Sequence, residues 1–506
     1  MLINRSITDN KSSLKKFFYN YIKNKKINKK YEDNKYFDIF LKIVDNFSNY
    51  PFLTQNEILN KLNISNKEDL LFLNDVIRNS ELSQDLILKT GIGKKYWNTI
   101  IPFAKETENN LKNIYNFPKR IALFPGVSCM FYCGFCGRDQ SQKYPTNILQ
   151  DSKKTFENLF SQIPSYTALS ISGGLEPLTN PNIGEIISSA KKYNIRVPLI
   201  TNGYSLTENF IKKNPGIWDL DSLRVSLYGV DKESYKFITR LDKSYEIVKK
   251  NAISFLKLRN IHNKKLKFGF NFIIIPENLD QICKILDLIK EINQNVDNGE
   301  GVNFLTLRDD YQSVTGNDEK FDDKRKYKLS TKMDKENRNK LIEKISEFKR
   351  YKSIICKDLH VDFGYSLEAL SNEIFDEQLI KVPYQKMRNY GFTQMSVAID
   401  LFGDVFLFRE AGFLNRSGNE KFIIGRITKD ITLENIIRKF LNKGEPILFK
   451  YQDERFMDSF DHVLTKLVNQ AEEDNKYGIP FNKGPVILRS HSQGIELGNN
   501  WYSDRD

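Results

Sequence analysis

Three cysteines stand within eight residues, Cys129, Cys133 and Cys136, in the run Cys-Met-Phe-Tyr-Cys-Gly-Phe-Cys, a CxxxCxxC spacing. A closed four-iron cluster is held by four cysteines, each on its own iron. Three leave one iron open to an outside ligand, an arrangement for chemistry at the cluster rather than for electron carriage alone. Two plainer readings compete. A structural zinc site needs a fourth Cys or His, usually near in sequence, and the histidines here are His262, His360, His462 and His491. Ordinary buried cysteines are common, but Gly126, Gly134 and Gly137 around these three mark a ligand loop. The other cysteines, Cys283 and Cys356, are too few for a second four-cysteine cluster and too far apart for a disulfide framework.

Such a loop needs a rigid frame. Six β-rich segments, at 121–124, 167–171, 196–200, 223–227, 268–275 and 302–307, alternate with amphipathic stretches. One stretch starts at Asn180-Pro181 and carries Ile183, Ile186 and Ile187 on one face. Alternating β and α elements argue for a parallel sheet with right-handed crossovers. Periodicity alone leaves a partial barrel and an open doubly wound sheet both available. In either, ligands bind at the carboxyl ends of the strands. The cysteine loop follows the first segment, Ser172-Gly173-Gly174-Leu175-Glu176-Pro177 the second, Thr201-Asn202-Gly203 the third, and Ser226-Leu227-Tyr228-Gly229 the fourth.

Taken in that order, these motifs resemble the radical S-adenosylmethionine (SAM) superfamily. The resemblance implies a partial (β/α)6 TIM-like barrel and a [4Fe-4S] cluster on Cys129, Cys133 and Cys136. It implies SAM on the open iron, cleaved by one electron to methionine and a 5'-deoxyadenosyl radical. Gly173, Gly174 and Glu176 correspond to the GGEP motif that receives the methionine ammonium, with Leu175 where a second glycine is often found. Asn202 and Ser226 fall where family members contact the cofactor's ribose or carboxylate.

The likeness reaches further. The cysteine run, Ser-Gly-Gly-Leu-Glu-Pro-Leu-Thr-Asn-Pro from Ser172, Arg-Val-Ser-Leu-Tyr-Gly from Arg224, and Gly-Asp-Val-Phe-Leu-Phe-Arg-Glu-Ala-Gly-Phe from Gly403 are similar to the dTDP-4-amino-4,6-dideoxyglucose ammonia-lyase family of desosamine biosynthesis. Arg308-Asp309-Asp310-Tyr311 and Phe456-Met457-Asp458 belong to the same similarity, which runs from about Tyr96 to Asp461. It implies removal of hydrogen from a hydroxyl-bearing sugar carbon beside the amine-bearing one, loss of ammonia, and a 3-keto-4,6-dideoxy sugar. The alternative is a radical SAM dehydrogenase of a sugar or sugar nucleotide, which keeps the nitrogen. The implied partners are a nucleotide-sugar substrate and a reduced flavodoxin or ferredoxin-type electron donor. Arg308 and Arg409 are expected on the diphosphate, and Asp309 or Glu410 on the amine or a hydroxyl proton.

Around the barrel, three regions are expected: an N-terminal helical region (1–112), the core barrel (113–320), and a C-terminal α+β extension covering the substrate (321–506). In the first, Ser65 and Glu68 form a capping-box pattern ahead of Leu70, Leu73, Val76 and Ile77. The last opens with a charged stretch, 318–328, then a helical pattern. A β-hairpin is predicted from 395–400 and 405–408, with a third strand near 422–427. The formal charge of +13 suits an anionic small substrate. Its lysines are spread along the chain with no nucleic-acid module, so no nucleic-acid partner is expected. Apolar runs are too short to span a bilayer, so no membrane partner is expected and the cytoplasm is the default compartment.

Overall fold

The computed structural model describes residues 114–136, 143–309, 334–363, 396–443 and 451–457, apart from 119, 165, 166, 297 and 298. It also describes Asp461 and short N-terminal stretches, chiefly 29–39 and 67–72. The strands are β1 (Arg120–Leu123), β2 (Ala168–Ile171), β3 (Pro198–Thr201), β4 (Ser222–Leu227), β5 (Lys267–Ile274), β6 (Phe304–Asp309), β7 (His360–Phe363), β8 (Ser396–Ile399), β9 (Asp404–Phe406) and β10 (Ile423–Arg426). They form one sheet in the order β10-β9-β8-β1-β2-β3-β4-β5-β6-β7, which is not closed by hydrogen bonds.

The six expected strands are β1 to β6, each parallel to the next. A seventh, β7, extends them parallel to β6. It lies in the stretch read as a helical pattern after the charged run, where His360 and Asp362 interrupt any apolar run. The predicted hairpin is β8–β9, antiparallel, with β10 antiparallel to β9. Its first strand also pairs parallel to β1, with Ile121 opposite Val397. The extension is therefore stitched onto the sheet beside the cysteine loop, and is not a separate flap.

Period-two alternation explains why these segments are strands. Leu223, Val225 and Leu227 of β4 and Phe268, Phe270, Phe272 and Ile274 of β5 point into the apolar core. Helices α1 (Ile148–Gln162), α2 (Ile183–Lys192), α3 (Glu208–Lys213), α4 (Lys232–Thr239), α5 (Ser244–Ile261), α6 (Lys284–Gln294), α7 (Lys335–Ile355) and α8 (Leu433–Lys443) follow the strands in sequence. As the spacing predicted, α2 buries Ile183, Ile186 and Ile187. Each such buried side chain contributes roughly 1.5–3 kcal/mol. The opposite face of the strands is polar: Ser226, Asn271, Thr306 and Asp362 are aligned across β4 to β7 and buried.

In the N-terminal region Lys67–Phe72 is helical; Ser65, Leu73, Val76 and Ile77, like the charged stretch 318–328, lie outside the described residues. Among the described residues no helix is long and apolar enough to cross a membrane.

Candidate active site

The cysteine loop is fastened to the loop after β2 at several points. Thr179 Oγ1 accepts from the backbone N–H groups of Val127 (3.0 Å) and Ser128 (3.1 Å) and donates to Glu176 O (2.6 Å). Asn180 Nδ2 donates to Pro125 O (2.8 Å), and Glu176 N to Ser128 O (2.9 Å). The two backbones approach so closely that a Cβ on Gly126 would lie 2.7 Å from Glu176 O. That contact gives Gly126 its purpose. Farther along, Tyr132 N donates to Thr239 O (2.9 Å) and Cys136 N to Cys133 O (3.1 Å), closing a tight turn. The far end is held by Tyr144, whose hydroxyl donates to Asp400 Oδ2 on the hairpin (2.9 Å). Burial, then the neighbouring Asp404, pushes the Asp400 carboxyl up to about 7.

All three cysteines are free thiols. Cys129 and Cys136 open onto a cavity of about 210 Å³, whereas Cys133 is buried in the core. Tyr228, beside them, has its hydroxyl pushed well above its ordinary value by burial and by all three cysteines. Among the described residues no three His, Cys, Asp or Glu side chains converge on a single ion. The donor set, three thiols in a loop with two facing a cavity, fits a [4Fe-4S] group.

Glu176 ends the β2 loop, 5% exposed. Its Oε1 accepts from Leu178 N (3.0 Å) and Thr201 Oγ1 (2.5 Å), and its Oε2 from Asn202 N (2.7 Å). Burial pushes its carboxyl up to about 7, against the lowering effect of these donors. A carboxylate has about four acceptor positions, so one remains, on Oε2. The side chain thus ties β2 to β3 first and has room for one donor from a ligand. Asn202 in turn sets its Nδ2 3.1 Å from Met130 Sδ and 3.8 Å from Cys129 Sγ. Gly174, at φ +77°, faces the Phe124 ring 3.1 Å from where a Cβ would be.

Gly173, Gly174, Glu176, Asn202 and Ser226 line the same cavity as the two thiols, and so do Arg308, Arg409 and Glu410. Arg409 reaches from the extension to the β2 loop: its Nη2 donates to Ser172 Oγ (3.0 Å), and its backbone N to Asp461 Oδ2 (3.1 Å). Glu410 is paired with Arg416, whose Nη1 lies 3.6 Å from Glu410 Oε2 and donates to Glu410 O (3.1 Å). Asp309 ends β6 opposite Ile274; its side chain lies outside the described residues. Sequence reasoning did not select Phe413, Arg455 or Met457, which also line the cavity. The Phe456-Met457-Asp458 run pointed to their neighbourhood, but one arginine in a chain with 77 Lys and Arg carries no signal of its own. A larger cavity, about 810 Å³, opens at the amino ends of β5 to β7 around Lys267, Glu300 and His360. It is the wrong end of a parallel sheet for chemistry and holds none of the predicted residues.

The family model described as the Radical SAM superfamily matches residues 123–289. The chain is 33% identical over 392 residues to the dTDP-4-amino-4,6-dideoxy-D-glucose ammonia-lyase of Streptomyces venezuelae, covering 76% of this chain and 78% of that protein. It is 27% identical over 178 residues to the AdoMet-dependent heme synthase of Methanosarcina barkeri, covering 35% of this chain and 48% of that one. Among solved structures, SuiB of Streptococcus suis bound to its precursor peptide SuiA aligns with a TM-score of 0.43 at 16% identity, over 68% of this chain and 69% of SuiB. That last likeness is too loose to argue from.

Proposed function

The chain belongs to the radical SAM superfamily and, within it, to the family of the dTDP-4-amino-4,6-dideoxy-D-glucose ammonia-lyase, and from that premise we propose that it eliminates ammonia from a nucleotide-linked amino-deoxy sugar. Its cofactors are a [4Fe-4S] cluster and SAM. When bound, they supply the 5'-deoxyadenosyl radical that takes a hydrogen from the substrate. The observation that carries the reading is one cavity shared by Cys129 and Cys136 with the charged side chains Arg308, Arg409 and Glu410.

The protein's own work is to hold, orient and exclude. Cys129, Cys133 and Cys136 hold the cluster. Gly173 and Gly174 bring the backbone close to the methionine part of SAM, the free position on Glu176 Oε2 takes one of its N–H groups, and Asn202 and Ser226 lie along the remainder. Arg308 and Arg409 bind the substrate's diphosphate through their planar forks. Glu410, paired with Arg416, holds the sugar's ammonium or receives a hydroxyl proton, with Asp309 as the other candidate. The C-terminal extension covers the substrate, and a reduced flavodoxin or ferredoxin-type protein supplies the electron.

The test is an anaerobic reaction of cluster-loaded protein with SAM, a reductant and dTDP-4-amino-4,6-dideoxyglucose. Ammonia and a keto-deoxy sugar appear in equal amounts if the reading holds. An oxidised sugar still bearing nitrogen makes the enzyme a dehydrogenase, and no sugar product refutes the substrate.

A further inference from the structure

We infer that Arg455 is a third arginine of the substrate pocket, one that recognises the diphosphate and so selects nucleotide-linked sugars over free ones. The inference rests on the amino-sugar nucleotide reading above and extends it to a residue outside the sequence motifs. Arg455 lines the cavity together with Arg308 and Arg409. It reaches the wall from a short 3-10 segment, Tyr451–Phe456, which is clamped onto the turn after the hairpin at three points. Arg455 Nη2 donates to Ser417 O, Lys421 Nζ pairs with Asp453, and the fully buried Phe456 packs on Phe422 with ring centroids 5.1 Å apart. The Arg455 guanidinium lies over the Phe456 ring, 4.7 Å from its centroid. A long side chain held this way loses less freedom on meeting a ligand than a solvated surface arginine would.

Charge favours the same occupant. Among the described residues the wall carries three guanidinium groups and two carboxylates, Glu176 and Glu410. Glu176 already accepts three hydrogen bonds from the chain, and Glu410 is paired with Arg416 behind the wall. Three guanidinium forks on one wall match the diphosphate of a nucleotide sugar in geometry and sign.

The experiment is calorimetric titration of dTDP and of thymidine into anaerobic, cluster-loaded protein saturated with SAM, for the wild type, Arg455→Gln and Arg455→Lys. Arg455→Gln should weaken dTDP binding about tenfold or more, the worth of a charge-assisted hydrogen bond, with Arg455→Lys between and thymidine binding unmoved. Iron content and sugar-independent SAM cleavage should match the wild type, which separates a lost contact from a lost fold. In turnover, KM for the nucleotide sugar should rise with kcat within about twofold. Arg455→Gln binding dTDP as the wild type does, or the wild type not binding dTDP, overturns the assignment. If dTDP binding depends on Arg455 while the wild type releases no ammonia, the assignment stands and the lyase reading falls. Ammonia release with no dependence on Arg455 gives the reverse.

Discussion

The two sides of the cavity are built differently. On the cofactor side, the cysteine loop and the loops after β2 and β3 are locked by bonds to backbone atoms: Thr179 to Val127 and Ser128, Asn180 to Pro125, Glu176 to Leu178 and Asn202. On the side proposed for the substrate, the extension presents charged side chains held mainly through side-chain contacts, Arg409 by Ser172 and Glu410 by Arg416, with Arg455 lying over Phe456 and bonded to Ser417 O. Backbone-locked loops hold one geometry for a common cofactor. Side-chain contacts can be exchanged without disturbing that geometry, and this is where a family that shares its cofactor chemistry has room to change substrate.

The sharpest way to break the contrast is to attack each side alone. Cys133→Ala removes one iron ligand from the locked side. It should lower iron content and abolish both SAM cleavage and sugar turnover, a loss of more than about 10³-fold in 5'-deoxyadenosine formation read by chromatography. Arg409→Ala should cut kcat/KM for the sugar about 100-fold, the ~2.7 kcal/mol of a charge-assisted contact, while sugar-independent SAM cleavage survives. If SAM cleavage fell equally, the Arg409 bond to Ser172 would be holding the cofactor loop and the two sides would not be separable.

Glu176→Gln tests the interlock itself. The amide keeps the shape but cannot accept from both Asn202 N and Thr201 while offering a further acceptor, so SAM affinity should fall about tenfold by titration. The smallest effect belongs to Asp400→Asn, behind the cofactor loop. The Asp400 carboxyl is pushed up from 3.8 to about 7 by burial, so the folded protein holds this proton more tightly than the unfolded chain does. Its stabilising effect is complete below about 4 and is lost as pH rises through 7. The melting temperature should therefore drop between pH 6 and pH 8, and Asp400→Asn should flatten that slope.

What could be read from the sequence divides along the same line. That Cys129, Cys136, Gly173, Gly174 and Glu176 meet at one cavity was legible from the cysteine spacing and the resemblance to the GGEP motif, and β1 to β6 because their apolar residues alternate. β7 was not: His360-Val361-Asp362-Phe363 alternates, but four residues that follow a long helical pattern are too short a signal to stand out. The pairing of β8 with β1 joins segments more than 270 residues apart, and nothing local announces it. Arg409 and Glu410 were found through family resemblance, and Arg455, bonded to the distant Ser417, left no local trace at all.

The most direct test of the account is substrate carrying deuterium on the hydroxyl-bearing carbon beside the amine, with 5'-deoxyadenosine and ammonia followed by mass spectrometry and enzymatic assay. The account predicts deuterium in the deoxyadenosine, with ammonia released from the same substrate. Unlabelled deoxyadenosine, or label transfer with the nitrogen retained in the sugar, would contradict it.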